Sequence, residues 1–145
     1  MRDLPRKLSV EQLAELFEGR TALVERLADT DDPLGQADDV LAELTDEEKV
    51  EALGAHPAIG ARRLSPRSAA EQGTDTDPAV LSELSYLNQV YEEKFGVRFV
   101  VFVAGRSKRE VLEVLRARIA RSREEELESG CRELVAIARD RWTRT

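Results

Sequence analysis

The chain has 145 residues, 41% of them hydrophobic and 35% charged, which is enough apolar matter for one packed core beneath a well-solvated surface. A formal charge of −7 argues against general affinity for nucleic acid or an anionic membrane, since both require a basic surface. Cys131 is the single cysteine and His56 the single histidine, so an internal disulfide is excluded and a zinc site would need carboxylates for most of its ligands. No metal is expected, and a lone thiol fits a reducing cytoplasm. The opening stretch MRDLPRKLSVEQL lacks the apolar region of a signal peptide, and no run reaches transmembrane length.

Taken in order, the elements are helical. Ser9-Val10-Glu11-Gln12 is a capping box that opens a helix carrying Leu13, Leu16 and Phe17. A second helix carries Ala22, Leu23, Leu27 and Ala28. Residues 29–35 form a loop, and a third helix spans 36–44. Thr45-Asp46-Glu47-Glu48 is a second capping box, and its helix runs through Val50 and Leu53 to Gly54. Pro57 then disfavours the α conformation at His56, which places the histidine on a helix exit. Ser65-Pro66 suggests the start of a short helix on which Ser68, Glu71 and Gln72 share one face.

Asp77-Pro78 opens a long helix with Leu81, Leu84, Leu87, Tyr91 and Phe95 on one stripe and Gly96 at its end. The run Val97-Arg98-Phe99-Val100-Val101-Phe102-Val103 has the composition of a buried strand, but no other stretch offers it a partner. It is expected to lie in the core as helix or extended chain. Ser107-Lys108-Arg109-Glu110 and Ser122-Arg123-Glu124-Glu125 are two further capping boxes. The first opens a helix with Val111, Leu112, Leu115 and Ile119. The second opens a helix with Leu127, Cys131, Leu134, Ile137 and Ala138 on its apolar side, reaching Arg141 and Trp142. The expected fold is all-α, a single domain over 1–145 with seven or eight short helices.

Chemistry concentrates at His56-Pro57 and at Ser68-Ala69-Ala70-Glu71-Gln72. An imidazole with an ordinary pKa near 6.5 can move protons at neutral pH, and a Glu-Gln pair suits the N–H groups and carbonyls of an amide or urea. The bland alternatives stand beside this reading: His56 as a helix-end cap, Glu71 and Ser68 as solvated helix residues, Cys131 as core, Arg141 as surface charge. Residue spacing alone stops at an acidic helical domain with a one-histidine site.

The ordered motifs go further. His56-Pro57-x-Ile59-Gly60, Ser68-x-x-Glu71-Gln72, Leu87-Asn88-x-x-Tyr91-x-x-Lys94-Phe95-Gly96, Phe99-Val100 leading to Gly105-Arg106-Ser107, and Ile137-x-x-x-Arg141 occur in that order. This succession resembles the OHCU decarboxylases (2-oxo-4-hydroxy-4-carboxy-5-ureidoimidazoline decarboxylases), which act in the third step of urate breakdown. The resemblance implies an all-α fold, no cofactor, a small-molecule substrate and an often homodimeric assembly. It implies that His56, Glu71 and Arg141 are catalytic. It implies substrate contacts from Pro57, from Ser68, Ala69, Ala70, Glu71 and Gln72, and from Phe99, Val100, Val101, Phe102 and Val103. The product implied is (S)-allantoin. A decarboxylase for a related ureido or imidazoline acid, and a non-catalytic helical binding domain, are the alternative readings. The chain departs from the family in its early part, where Asp32-Pro33-Leu34 replaces an Arg-Pro-Phe turn, and after Gln72, where Gly73-Thr74-Asp75 stands.

Overall fold

The computed structural model describes residues 7–57 and 77–144. Among these, seven helices and no strand are found: α1 Val10–Phe17, α2 Ala22–Ala28, α3 Ala37–Glu43, α4 Asp46–Ala55, α5 Pro78–Phe95, α6 Lys108–Ile119 and α7 Arg123–Arg144. The all-α expectation holds. The helix expected to follow Ser65-Pro66 lies outside the described residues.

All four capping boxes form. In α1 the Ser9 hydroxyl accepts from the Gln12 N–H at 3.1 Å while Gln12 Oε1 accepts from the Ser9 N–H at 3.0 Å. Thr45–Glu48 and Ser107–Glu110 repeat the exchange at α4 and α6, and Ser122–Glu125 repeats it at the start of α7. Each box satisfies two main-chain donors that a helix start leaves open. At the far end of α5, Gly96 adopts φ 69°, and its N–H donates to Glu92 O.

α7 packs against α1, α3 and α4, α2 lies against α1, α3 and α4, and α5 pairs with α6. The core takes Leu13, Leu23, Leu27, Leu53, Leu115 and Leu134 from these faces. One stripe needs correction. On α5 the buried residues are Val80, Leu84, Asn88, Tyr91 and Phe95, while Leu87 is half-buried and Leu81 is exposed. Among the described residues α5 has only α6 as a close helical neighbour, so its apolar arc is narrower than the leucine spacing suggests. α4 also runs one residue further than expected, to Ala55.

Residues 97–103 join α5 to α6 as non-helical chain through the core. Val97, Phe99, Val100, Val101 and Val103 are buried, and Phe102 is partly so. Of the two conformations expected for this run, the helical one is not found.

Candidate functional site

The site is built first from the exit of α4. Steric conflict with the Pro57 ring keeps His56 out of the α region, and it adopts φ −80°, ψ 138°. Its N–H still donates to Leu53 O at 3.2 Å, so the turn is anchored as the chain leaves the helix. The residue is 7% exposed, and Nδ1 is buried with no hydrogen-bond partner among the described residues. Such an atom is costly to leave unpaired, which marks it as a place where another group is to be met. Burial pushes the imidazole down to about 4; the Arg141 and Arg98 charges act in the same direction, and Glu18 opposes them. His56 is therefore neutral at pH 7.

Arg141 comes from α7. Sequence spacing suggests a solvated arginine, and the structure corrects this: the residue is 2% exposed. Its Nη1 donates to Leu16 O at 2.9 Å, and its Nη2 lies 3.3 Å from Glu18 Oε1. The physical reason is position. Leu127, Cys131, Leu134, Ala138 and Arg141 recur at intervals of four and three, so Arg141 continues the apolar stripe of α7 into the core. That signal stands in the sequence but is masked by the number of exposed arginines.

Glu18 has no such signal, and sequence reasoning misses it. It closes α1 in the left-handed region, at φ 62° and ψ 29°, a conformation uncommon for a residue with a β-carbon. Its N–H donates to Ala14 O, and its side chain is 13% exposed. The next residue shows how the α1 exit meets the α4 exit. A Cβ on Gly19 would lie 2.9 Å from the Ala55 Cβ. Glycine at this point allows the Glu18 turn to rest against the residue preceding His56. Three elements thus converge: α1 supplies a carboxylate, α4 an imidazole and α7 a guanidinium.

The second group of candidate residues is the strand-like chain at 97–103. Side chains, mostly arginines, replace its missing ladder. Arg118 Nη1 donates to Val100 O at 2.7 Å, Arg106 Nη2 to Phe102 O at 2.6 Å, and Arg106 Nε to Val103 O at 3.0 Å. Glu133 Oε1 accepts from the Phe102 N–H at 3.3 Å. Arg118 is itself buried, with Nε 2.6 Å from Glu126 Oε1 and its guanidinium 4.7 Å from the centroid of Phe99. Glu126, fully buried, also accepts from the Tyr91 hydroxyl at 2.8 Å and lies 3.1 Å from Arg121 Nη1. Burial raises the Tyr91 phenol above its ordinary value, so it remains a donor. Arg98, at the head of the segment, reaches back across the site: its Nη1 donates to His56 O at 2.7 Å and to Gly54 O at 3.1 Å.

Of the residues singled out from sequence, His56 and Arg141 are buried close enough for one charge to act on the other. Pro57 is half-buried beside them. Phe99, Val100, Val101, Phe102 and Val103 belong to the segment that Arg98 ties to the His56 main chain. Ser68, Ala69, Ala70, Glu71 and Gln72 lie outside the described residues. Cys131 stands apart, lining a separate cavity with Asp38, Lys49 and Glu128. Burial pushes its thiol up to about 11, in keeping with a core residue rather than a nucleophile.

This arrangement has relatives. A protein from Halalkalicoccus jeotgali named 2-oxo-4-hydroxy-4-carboxy-5-ureidoimidazoline decarboxylase is 32% identical over 97 residues, covering 63% of this chain and 55% of that protein. The uric acid degradation bifunctional protein TTL of Arabidopsis thaliana is 35% identical over 99 residues, covering 61% of this chain and 30% of its own length. The bifunctional protein PucL of Bacillus subtilis is 24% identical over 143 residues, covering 90% of this chain and 29% of its own. The chain thus spans about a third to a half of these relatives. Among solved structures, an OHCU decarboxylase crystallised in the presence of (S)-allantoin superposes with a TM-score of 0.76 at 24% identity, covering 92% of this chain and 96% of that one. An (S)-allantoin synthase superposes with a TM-score of 0.69 at 21% identity, covering 93% of this chain and 48% of that one. Both likenesses establish the fold. The family model for OHCU decarboxylase matches residues 2–143, and the chain belongs to the OHCU decarboxylase family.

Proposed function

We propose that the protein is a cofactor-independent carboxy-lyase that converts 2-oxo-4-hydroxy-4-carboxy-5-ureidoimidazoline to (S)-allantoin. The observation that carries this reading is the burial of His56 beside Arg141, in a chain of this family. The substrate's carboxylate is attached to a carbon next to a ring C=N. When the bond to CO2 breaks, its electron pair moves into that imine system, so the substrate provides its own electron sink. One proton must then reach the ring carbon bearing the ureido group, from one face only.

His56 delivers that proton, Arg141 holds an anionic or polar group of the substrate, and Glu71 with Gln72 receives the ureido arm. Pro57 and the segment from Phe99 to Val103 form the walls that exclude water and orient the ring. The depressed basicity of His56 supports this division of labour. A bound carboxylate sets a negative charge against the two guanidiniums that help to hold the imidazole neutral. Its arrival raises the affinity of His56 for a proton, so the proton enters with the substrate.

We further infer that 1–145 acts as a single helical domain, in the cytoplasm and as a homodimer. The lone buried thiol of Cys131 suits a reducing compartment, and none of the described helices is long and apolar enough to cross a membrane. Light scattering tests the dimer. The activity is tested by generating the substrate from urate with the two upstream enzymes and following its decay and the chirality of the allantoin formed. Faster decay than the spontaneous reaction, with (S)-allantoin as product, is the expected result; an unaccelerated decay refutes the proposal. His56→Ala should lose most of the rate with its helical circular dichroism intact, and a full rate in that variant would remove His56 from the chemistry.

A further inference from the structure

The exit of α4 presents a problem that the helix cannot solve locally. The last carbonyls of a helix lack internal partners, and the usual solution is an N–H from the residue just past the cap, folded back in the left-handed region. Here that residue is Pro57, which has no N–H. The carbonyls of Gly54 and His56 are served instead by Arg98, which is 44 and 42 residues away. One nitrogen, Nη1, lies 3.1 Å from Gly54 O and 2.7 Å from His56 O, while Nε is 3.4 Å from Glu92 Oε1 on α5. A guanidinium at a helix C-terminus is also favoured by the helix dipole. Arg98 directly precedes Phe99, so the same side chain joins the two groups of candidate residues.

We propose that Arg98 is a positioning residue for the reaction: its guanidinium clamps the main chain of His56 against the segment at 99–103 and so aims the imidazole. This rests on His56 being the proton-handling group. Arg98 acts here through the main chain: its Nη1 is directed at the carbonyls of the α4 exit and its Nε at Glu92. Among the described residues, the charged groups that act on the imidazole come from three elements: Arg141 of α7, Glu18 at the end of α1 and Arg98 itself.

The test uses the fact that the chain has one histidine, and hence one imidazole Hε1 resonance. Arg98→Met keeps the apolar stem but removes the donors. Its kcat should fall about tenfold to a hundredfold with KM little changed, as expected for a misaimed group. The His56 resonance should titrate at a higher pH than in the parent, since a cation is lost and the exit turn loosens. Arg98→Lys offers a single amine to the same carbonyls and should recover most of both properties. If Arg98→Met does not fold, the lysine variant carries the test, with a smaller shift in the same sense. A parental kcat in Arg98→Met, or a lost kcat with an unmoved His56 titration, overturns the clamp. The titration needs no turnover, so failure of the clamp is told apart from failure of the decarboxylase reading, which shows as an unaccelerated decay with the parent protein, and from failure of the His56 role, which shows as a full rate in His56→Ala.

Discussion

The four capping-box helix starts and the buried segment at 97–103 face the same difficulty, main-chain groups with no partner in their own element, and meet it at different ranges. Ser9, Thr45, Ser107 and Ser122 each exchange hydrogen bonds with a residue three positions on. The segment takes Arg106 from three and four residues away, but also Arg118 from 18 and Glu133 from 31. Local repair needs only a Ser or Thr and a Glu or Gln, and costs little burial. Distant repair puts charged side chains into the core, where they must be paired among themselves. Arg118, Glu126 and Tyr91 are that pairing. The exit of α4 belongs with the second class, being served by Arg98, and the candidate catalytic histidine sits there.

The sharpest way to break the comparison is at Arg118. Arg118→Met leaves Glu126 buried with one of its cations removed and the Val100 carbonyl without its donor, and should cost about 3–5 kcal/mol in urea unfolding. A double variant with Glu126→Leu should regain a good part of that, because the uncompensated charge goes as well. A loss below about 1 kcal/mol in the single variant would mean that the segment is held by apolar packing alone.

The next effect is acid-dependent and belongs to His56. The unfolded chain takes up this proton near pH 6.5, whereas the folded imidazole does so only near 4. Between those values the unfolded state binds more protons, so the His56 contribution to stability declines as pH falls from 6.5 to 4 and is flat above 6.5. The full effect is on the order of 3 kcal/mol. His56→Asn should lack this component, so the stability difference between parent and variant should shift in the variant's favour across that window. A constant difference from pH 7 to pH 4 would show that the imidazole is not held neutral.

The smallest effect is expected on the local side of the comparison. Ser107→Ala removes the hydroxyl that accepts from the Glu110 N–H at 3.2 Å. It should cost about 1 kcal/mol and leave the rate of the proposed decarboxylation unchanged. A loss as large as that of Arg118→Met would mean that the α6 start supports the buried segment as well as its own helix.

Much of the fold is legible in the sequence because it rests on short-range rules. The boxes at Ser9, Thr45, Ser107 and Ser122 mark helix starts, and Gly96 marks an end. Pro57 dictates the extended geometry of His56 through a clash between adjacent residues, which needs no tertiary contact. The site is legible only in part. The ordered motifs bring forward His56 and Arg141, but spacing ranks Arg141 as surface charge although it lies on the stripe of Leu134 and Ala138. Glu18 and Arg98 carry no signal, since one works through a left-handed helix end and the other through a carbonyl in a different element.

The sequence by itself determined where the four boxed helices begin and where α5 ends, that helices are all the regular structure of the described chain, and which family it joins. These follow from side chains that act on their own neighbours, or from motifs read in order. Only the tertiary structure decided that a strand-like run would lie unpaired by any strand, that arginines would satisfy it, and that a glutamate, a histidine and an arginine from three helices would share one buried place. The physical reason is range: a cap is complete within one turn, whereas a buried charge is tolerable only once its distant partners have been folded against it.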